Sequence, residues 1–311
     1  MCIGKIDIDV FKNSRIVYFI AIVAIFLFSI NARASSDGAI VGLLSTKYPT
    51  YEGEYRTASG IKELLLKLGA KGVVLVDYNV IMSELGYDAS LGEIAGHLDE
   101  FLRKNNIDRI FIPGNKYNIS SPPYPPVPYR QMVTDAVVNV MERRGDLKLL
   151  AICGGLQGVL HAQKVKVKRV QDILRSYEMA ELHVSSTHDL REYGASLHRV
   201  FAVPGSKLAE IIRRVRGEKN GPLEFYVPDM HREAISTSSD NKNRLKELGY
   251  TISAVSDDGI VEGVEDSRGN MLLQMHPEYL LMGMEEKMGQ HPEVDISIQI
   301  AKSIIENFLA H

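Results

Sequence analysis

Chemistry in this chain centres on Cys153. The run Leu149-Leu-Ala-Ile-Cys153-Gly-Gly155 reads as a short apolar strand that breaks at a thiol and turns into a helix over Leu156 to Gln163. A strand that bends sharply into a helix projects its pivotal side chain outward and needs small residues two positions away on either side; Ala151 and Gly155 are small. The helix start that follows favours a thiolate and offers backbone N–H groups to an oxyanion. A buried core cysteine is the competing reading, but it gives the two glycines no purpose. Of nine histidines, His276 stands at the end of the strand-like run Met271 to Met275. Pro277 then fixes the backbone, and Glu278 can fold back to hold the imidazole tautomer, as the third member of a catalytic triad does. His-Pro-Glu recurs at 291–293, ahead of an amphipathic run, where it reads as a helix start.

The elements that must position these groups alternate. Ala39 to Leu44, Gly72 to Val76, Arg109 to Ile112 and Leu149 to Ile152 are short apolar runs of strand type. Between them, Ala58 to Leu68, Leu91 to Leu102 and Gln131 to Arg143 place apolar residues at helical spacing. This order predicts an α/β fold: a parallel-rich central sheet with helices on both faces, with ligands gathered outside the carboxyl ends of the strands. Further strands are expected at 199–203, 223–227, 252–255, 260–264 and 271–275, and a closing helix at 294–309. Lys164-Val-Lys-Val-Lys168 alternates as a strand with one wet face. The segment Tyr117 to Tyr129 holds five prolines and reads as an irregular loop at the rim of a pocket.

At 311 residues, 45% hydrophobic and 24% charged, the chain can bury a sizeable core. A net charge of -3 leaves no basic surplus for a nucleic-acid backbone. Lys5, Lys12 and Arg15, the apolar run Ile16 to Ile30 and the small residues Ala32 and Ala34 make residues 1–34 a secretory signal peptide, with an uncleaved anchor as the alternative. The expectation is therefore an exported, periplasmic or secreted protein whose single domain is 35–311 and whose mature part starts at Ser35. Cys2 leaves with the leader, so Cys153 is the only thiol and no internal disulfide can form. His183, His188 and Asp189 match no zinc spacing and read as a solvated loop, so neither metal nor cofactor is expected.

Taken together, Ile112-Pro-Gly114, Cys153-Gly-Gly-Leu-Gln157, Val203-Pro-Gly-Ser206, Val227 to His231, Ser253 to Glu262 and Leu273-Gln-Met-His276-Pro-Glu278 occur in the order and spacing of a known family. Over 39–308 the chain resembles the class I glutamine amidotransferase-like proteins, and within them the gamma-glutamyl-gamma-aminobutyrate hydrolase type, peptidase family C26. The resemblance implies a flavodoxin-like fold and a cysteine that attacks the gamma-carbonyl of a glutamyl group, with histidine and glutamate assisting. Carried over, the triad is Cys153, His276 and Glu278. Gly114 or Asn115 and Gly154 supply oxyanion N–H groups, and Gln157 and His231 line the glutamyl pocket.

The chain departs from the family pattern at several points. Gly154 stands where arginine follows the nucleophile, Asn115 where a second glycine follows Pro-Gly, and Glu233 where glutamine is expected. A lost cation and an added Asp229 point to a pocket better suited to an amine. The expected activity is hydrolysis of a gamma-glutamyl or similar small-molecule amide through an acyl-enzyme. A non-catalytic binding protein on the same fold and a glutaminase-type amidotransferase subunit stay open as alternatives, as does homo-oligomerisation.

Overall fold

Along each central strand, alternate side chains enter two different cores. Leu43, Phe111, Leu150 and Ile152 belong to one cluster, whereas Leu44, Ile110, Ile112, Leu149 and Ala151 belong to the other. Strictly opposed burial of neighbours is what a sheet covered on both faces requires. The computed structural model describes residues 38–49, 51–122, 124, 129–185, 197–282 and 292–310. The leader 1–34, His188, Asp189 and, in the proline-rich stretch, residues 123 and 125–128 lie outside these residues. Ala39–Ala310 forms one compact unit. Among the described residues, no helix is long and apolar enough to cross a membrane.

The strands are β1 (Ile40–Ser45), β2 (Gly72–Asp77), β3 (Arg109–Ile112), β4 (Lys148–Ile152), β5 (Val167–Arg169), β6 (His198–Ala202), β7 (Glu224–Val227), β8 (Glu233–Ile235), β9 (Tyr250–Ser256), β10 (Val261–Asp266) and β11 (Met271–Leu273). Nine of them form one sheet in the order β2-β1-β3-β4-β11-β10-β9-β6-β7. From β2 to β11 the pairings are parallel, and from β11 to β7 they are antiparallel. The parallel half follows from its crossover helices: parallel neighbours cannot be joined by a hairpin.

One face of the sheet is covered by α1 (Glu52–Lys67), which contributes Ile61 and Leu65 to the first core. The other carries α2 (Tyr78–Leu85), α3 (Leu91–Lys104) and α4 (Tyr129–Arg143). In α3 a capping box between Ser90 and Glu93 fixes the start, and Ile94, Ala95, Leu98 and Leu102 make its buried stripe. Truncating fully buried Leu98 to alanine would remove about 2–5 kcal/mol. The helix after Cys153 is α5 (Gly154–Ala162); α6 (Val170–Leu174), α7 (Tyr177–Ser185), α8 (Lys207–Arg216), α9 (Ser239–Glu247), α10 (Pro277–Leu281) and α11 (Pro292–Leu309) complete the set.

Two expectations change. The Lys164–Lys168 alternation does give buried valines and exposed lysines at 165–168, but the ladder covers only Val167–Arg169. That strand pairs with β8 in a separate two-stranded sheet rather than with the central one. His183 is not on a solvated loop: it lies in α7 with its side chain wholly buried. Its two ring nitrogens are engaged by carboxylates distant in sequence, Asp229 and Asp258.

Candidate active site

Strands β3, β4 and β11 are adjacent and parallel, so their carboxyl ends share one edge of the sheet. Gly114 follows β3, Cys153 follows β4 directly, and His276 stands three residues beyond β11; topology alone therefore brings the three together. A side chain built on Gly114 would touch both partners, its Cβ lying 2.9 Å from His276 Cε1 and 3.3 Å from Cys153 Cβ. Only glycine fits between them.

Cys153 adopts φ 51° and ψ -111°, a conformation that costs a residue with a side chain about 1–3 kcal/mol. The surroundings hold it there. Its N–H donates to the Leu273 carbonyl oxygen at 2.6 Å, and its own carbonyl accepts from the Gln157 N–H at 3.0 Å. A Cβ on Gly155 would lie 2.3 Å from the Ile112 carbonyl oxygen, so the turn closes against β3 only with glycine there.

His276 and Glu278 form a buried pair, Nδ1 to Oε1 at 2.7 Å. Tyr279 stacks on the imidazole, with ring centroids 4.4 Å apart and planes 1° from parallel. The histidine's pKa is raised well above its ordinary value: burial alone favours the neutral ring, but the Glu278 carboxylate and then the Cys153 sulfur, which also hydrogen-bonds to it, reverse that. Because Nδ1 is taken by Glu278, Nε2 is the nitrogen left for the thiol.

Gly114, Cys153, His276 and Tyr279 line a cavity of about 340 Å³ together with Asn115, Gln157, His231, Lys116 and Arg232. None of the lining residues is acidic. Asp229 does not face the cavity: its side chain is fully buried, 2.8 Å from His183 Nδ1 and 3.0 Å from His231 Nε2. The amine-favouring pocket expected from Asp229 is corrected accordingly, since Lys116 and Arg232 supply cations at the wall instead. Gln157 reaches the cavity, but its amide nitrogen is committed to the Glu233 carbonyl at 2.7 Å and to Gln274 at 3.2 Å. Its work there is to hold the wall.

Two departures from the family pattern prove to be one. A Cβ on Gly154 would lie 2.4 Å from Asn115 Nδ2, so the Asn115 side chain occupies the space that a residue after the nucleophile would otherwise enter. Asn115 Oδ1 accepts from the Tyr117 N–H at 2.7 Å, which fixes the amide's orientation. Glu233 also has a structural role: its carboxylate accepts from the Ile119 and Ser120 N–H groups and from the Ser120 and Ser121 hydroxyls, at 2.5–2.9 Å, and so pins the loop after β3.

Sequence reasoning missed Tyr279, Lys116, Arg232 and Tyr51. Tyr51 accepts the Lys116 N–H at 3.1 Å, and burial raises its pKa to about 12. Tyr279 could have been found from its place one residue beyond His-Pro-Glu. Nothing in the sequence marks the other three.

A nucleophile elbow on a parallel-rich α/β sheet, faced by a histidine–carboxylate pair, defines the class as a cysteine-type acyl-transfer protein. The Peptidase C26 family profile matches residues 107–278, more than half of the chain. The chain belongs to that family, and with it to the class I glutamine amidotransferase-like superfamily; a cysteine-type amide hydrolase or amidotransferase-like activity follows. Among solved structures, the chain is similar to that of SMU.1228c, with 9% identity, a TM-score of 0.47, and 85% of this chain and 97% of that one covered. It is also similar to a glutamine amido transferase from Methylobacillus flagellatus, with 11% identity, a TM-score of 0.45, and 88% and 93% covered. No curated protein matches.

Proposed function

We propose that the chain hydrolyses a gamma-glutamyl or similar amide bond through a thioester, with Cys153 as nucleophile, His276 as proton carrier and Glu278 as the group that orients it. One observation carries this reading: Cys153 is held at positive φ on a strand end, against a histidine whose far nitrogen is fixed by a buried carboxylate. His276 Nε2 takes the thiol proton as sulfur attacks the amide carbon. The N–H groups of Gly154 and of Gly114 or Asn115 stabilise the oxyanion. The imidazolium returns the proton to the departing nitrogen, the C–N bond breaks, and a water deprotonated by His276 cleaves the thioester.

Lys116 and Arg232, on a wall without acidic groups, suit the alpha-carboxylate of a glutamyl substrate and replace the cation missing at position 154. The basic and apolar leader further assigns this reaction to the outside of the cytoplasm, on a mature chain that begins at Ser35.

The test is hydrolysis of a panel of gamma-glutamyl amides by the mature chain, with intact-mass detection of a glutamyl thioester on Cys153. Turnover that is lost in Cys153→Ala, with the adduct seen only in the parent, is the expected result. Parent and variant that are equally inert across the panel would overturn it. Mass measurement of protein recovered from the producing cell decides the terminus: Ser35 is expected, and an intact Met1 in the cytosol would overturn export.

A further inference from the structure

Behind the cavity wall, and sharing His231 with it, lies a second constellation that takes no part in the proton transfers proposed above. His183, Asp229, His231 and Glu262 each point one donor atom at a common centre, all within 4.8 Å of one another, and all four side chains are buried. They come from α7, the segment between β7 and β8, and β10. Glu262 is the extra residue of a β-bulge, with Val261 and Gly263 pairing successive residues of β9. A bulge of this kind re-aims a side chain.

Three features point to an ion at the centre. The first is distance: across the cluster, His183 Nδ1 lies 2.8 Å from Asp229 Oδ2 and 3.8 Å from Glu262 Oε1, and His231 Nε2 lies 3.0 Å from Asp229 Oδ1 and 3.6 Å from Glu262 Oε1. Those separations bracket the edge of about 3.3 Å expected for a tetrahedron of ligands ~2.0–2.1 Å from zinc.

The second is unmet bonding capacity. Asp229 Oδ1, His231 Nε2 and both Glu262 oxygens are buried without a well-aligned hydrogen bond, and the contacts they do have are only ion-pair contacts within the cluster. Among the described residues, no lysine or arginine pairs with Asp229 or Glu262; their only charged partners are these two histidines. Two carboxylates withdrawn from water need a positive charge between them.

The third is the outer shell. His231 Nδ1 bonds to the Glu233 carbonyl oxygen at 2.9 Å, so that nitrogen carries the proton and Nε2 presents its lone pair inward. His183 Nε2 faces Asp258 Oδ2 at 2.9 Å, which leaves Nδ1 inward. Ligating histidines are oriented by just such a carbonyl or carboxylate on the far nitrogen.

We infer that His183, Asp229, His231 and Glu262 bind one divalent transition ion, zinc by the two-imidazole, two-carboxylate donor set. Four protein ligands close the coordination sphere, so the ion is structural rather than a Lewis acid for substrate. It fastens the segment that forms the cavity wall: the Pro228 carbonyl accepts from the His276 N–H at 2.9 Å, and the Met230 carbonyl lies 3.9 Å from Cys153 Sγ. The inference stands independently of whether Cys153 performs hydrolysis.

The mature full-length chain, stripped with chelator and re-exposed to Zn²⁺, should retain about one ion per chain by elemental mass spectrometry, and Co²⁺ in its place should give the intense visible bands of a tetrahedral site. Glu262→Gln and His183→Gln should lose the ion. Should either fail to fold by circular dichroism, Asp258→Asn, which leaves all four ligands, carries the test: it should weaken zinc binding ~10–100-fold in competition with a chromophoric chelator. A parent that takes up neither ion overturns the proposal, and so does a set of folded variants that bind as tightly as the parent.

Discussion

Two sets of histidines and carboxylates sit a few residues from one another in space and differ in every other respect. His276 and Glu278 are two residues apart in sequence; the histidine borders an open cavity, the glutamate is buried behind it, and one imidazole nitrogen is left for a thiol. His183, Asp229, His231 and Glu262 span 80 residues of sequence, are closed in, and turn their unused atoms toward each other. The contrast teaches what burial does to one chemistry: the same residue types are placed to meet a substrate where one side is open and are left to satisfy one another where they are withdrawn from water. Between the two runs the segment 228–231: the side chains of Asp229 and His231 face the cluster, while the carbonyls of Pro228 and Met230 face His276 and the thiol.

Breaking the open set should cost activity and spare stability. Cys153→Ala should lower turnover on the order of 10⁴-fold or more, while urea denaturation shifts by under ~1 kcal/mol, because it removes the sulfur proposed to attack and few packing contacts go with it. Full turnover in this variant would end the assignment of the nucleophile.

Glu278→Gln should cost roughly 10²–10⁴-fold in kcat by releasing the imidazole tautomer. It should also alter the pH profile of stability. The folded-state pKa of His276 is raised, so the pair's contribution is fully present below the ordinary histidine value and is lost as pH rises through the elevated one. The difference in Tm between parent and variant should therefore be largest in mildly acidic solution and shrink with rising pH. A difference that grows with pH would show that the carboxylate does not stabilise the imidazolium.

Breaking the closed set should do the reverse. Asp229→Asn leaves the buried histidines and Glu262 short of a charge partner and should destabilise by ~3–5 kcal/mol in chemical denaturation. Activity should fall only as far as the wall of the cavity loosens.

Smaller effects sharpen the border between them. Arg232→Ala and Lys116→Ala should each raise KM for a gamma-glutamyl amide roughly tenfold with kcat little changed, as expected when one ionic contact to a carboxylate is lost. An unchanged KM in both variants would remove the carboxylate from that wall. Gly154→Arg should cost ~1–3 kcal/mol through collision with Asn115, and Asn115→Gly in the same chain should recover most of it. Additive losses would mean the two positions are not coupled.

The open set was legible because its parts are local. A strand ending in Cys-Gly-Gly and another ending in His-Pro-Glu are runs of a few residues, and a parallel sheet brings their ends together without further information. The same holds for β1 to β4 and for the helices α3 and α4, whose period is written in contiguous residues. The amphipathic α8, with Ser206 as its N-cap and Leu208, Ala209, Ile211 and Ile212 as its buried stripe, carries a period as local as theirs. Short α6 and α7 and the three-residue β8 carry too few periodic positions to announce themselves.

By itself, then, the sequence determined the alternation of strands and helices, the thiol at a sharp turn and the pairing of His276 with Glu278, since each depends on residues close in the chain. Tertiary structure alone decided the rest. It gathered His183, Asp229, His231, Asp258 and Glu262 from separate elements, turned Asp229 away from the cavity, set Lys116 and Arg232 on its wall, and filled the space beside Gly154 with Asn115. Contacts of that kind depend on where elements dock and which way a bulged strand aims its side chain, and sequence spacing records neither.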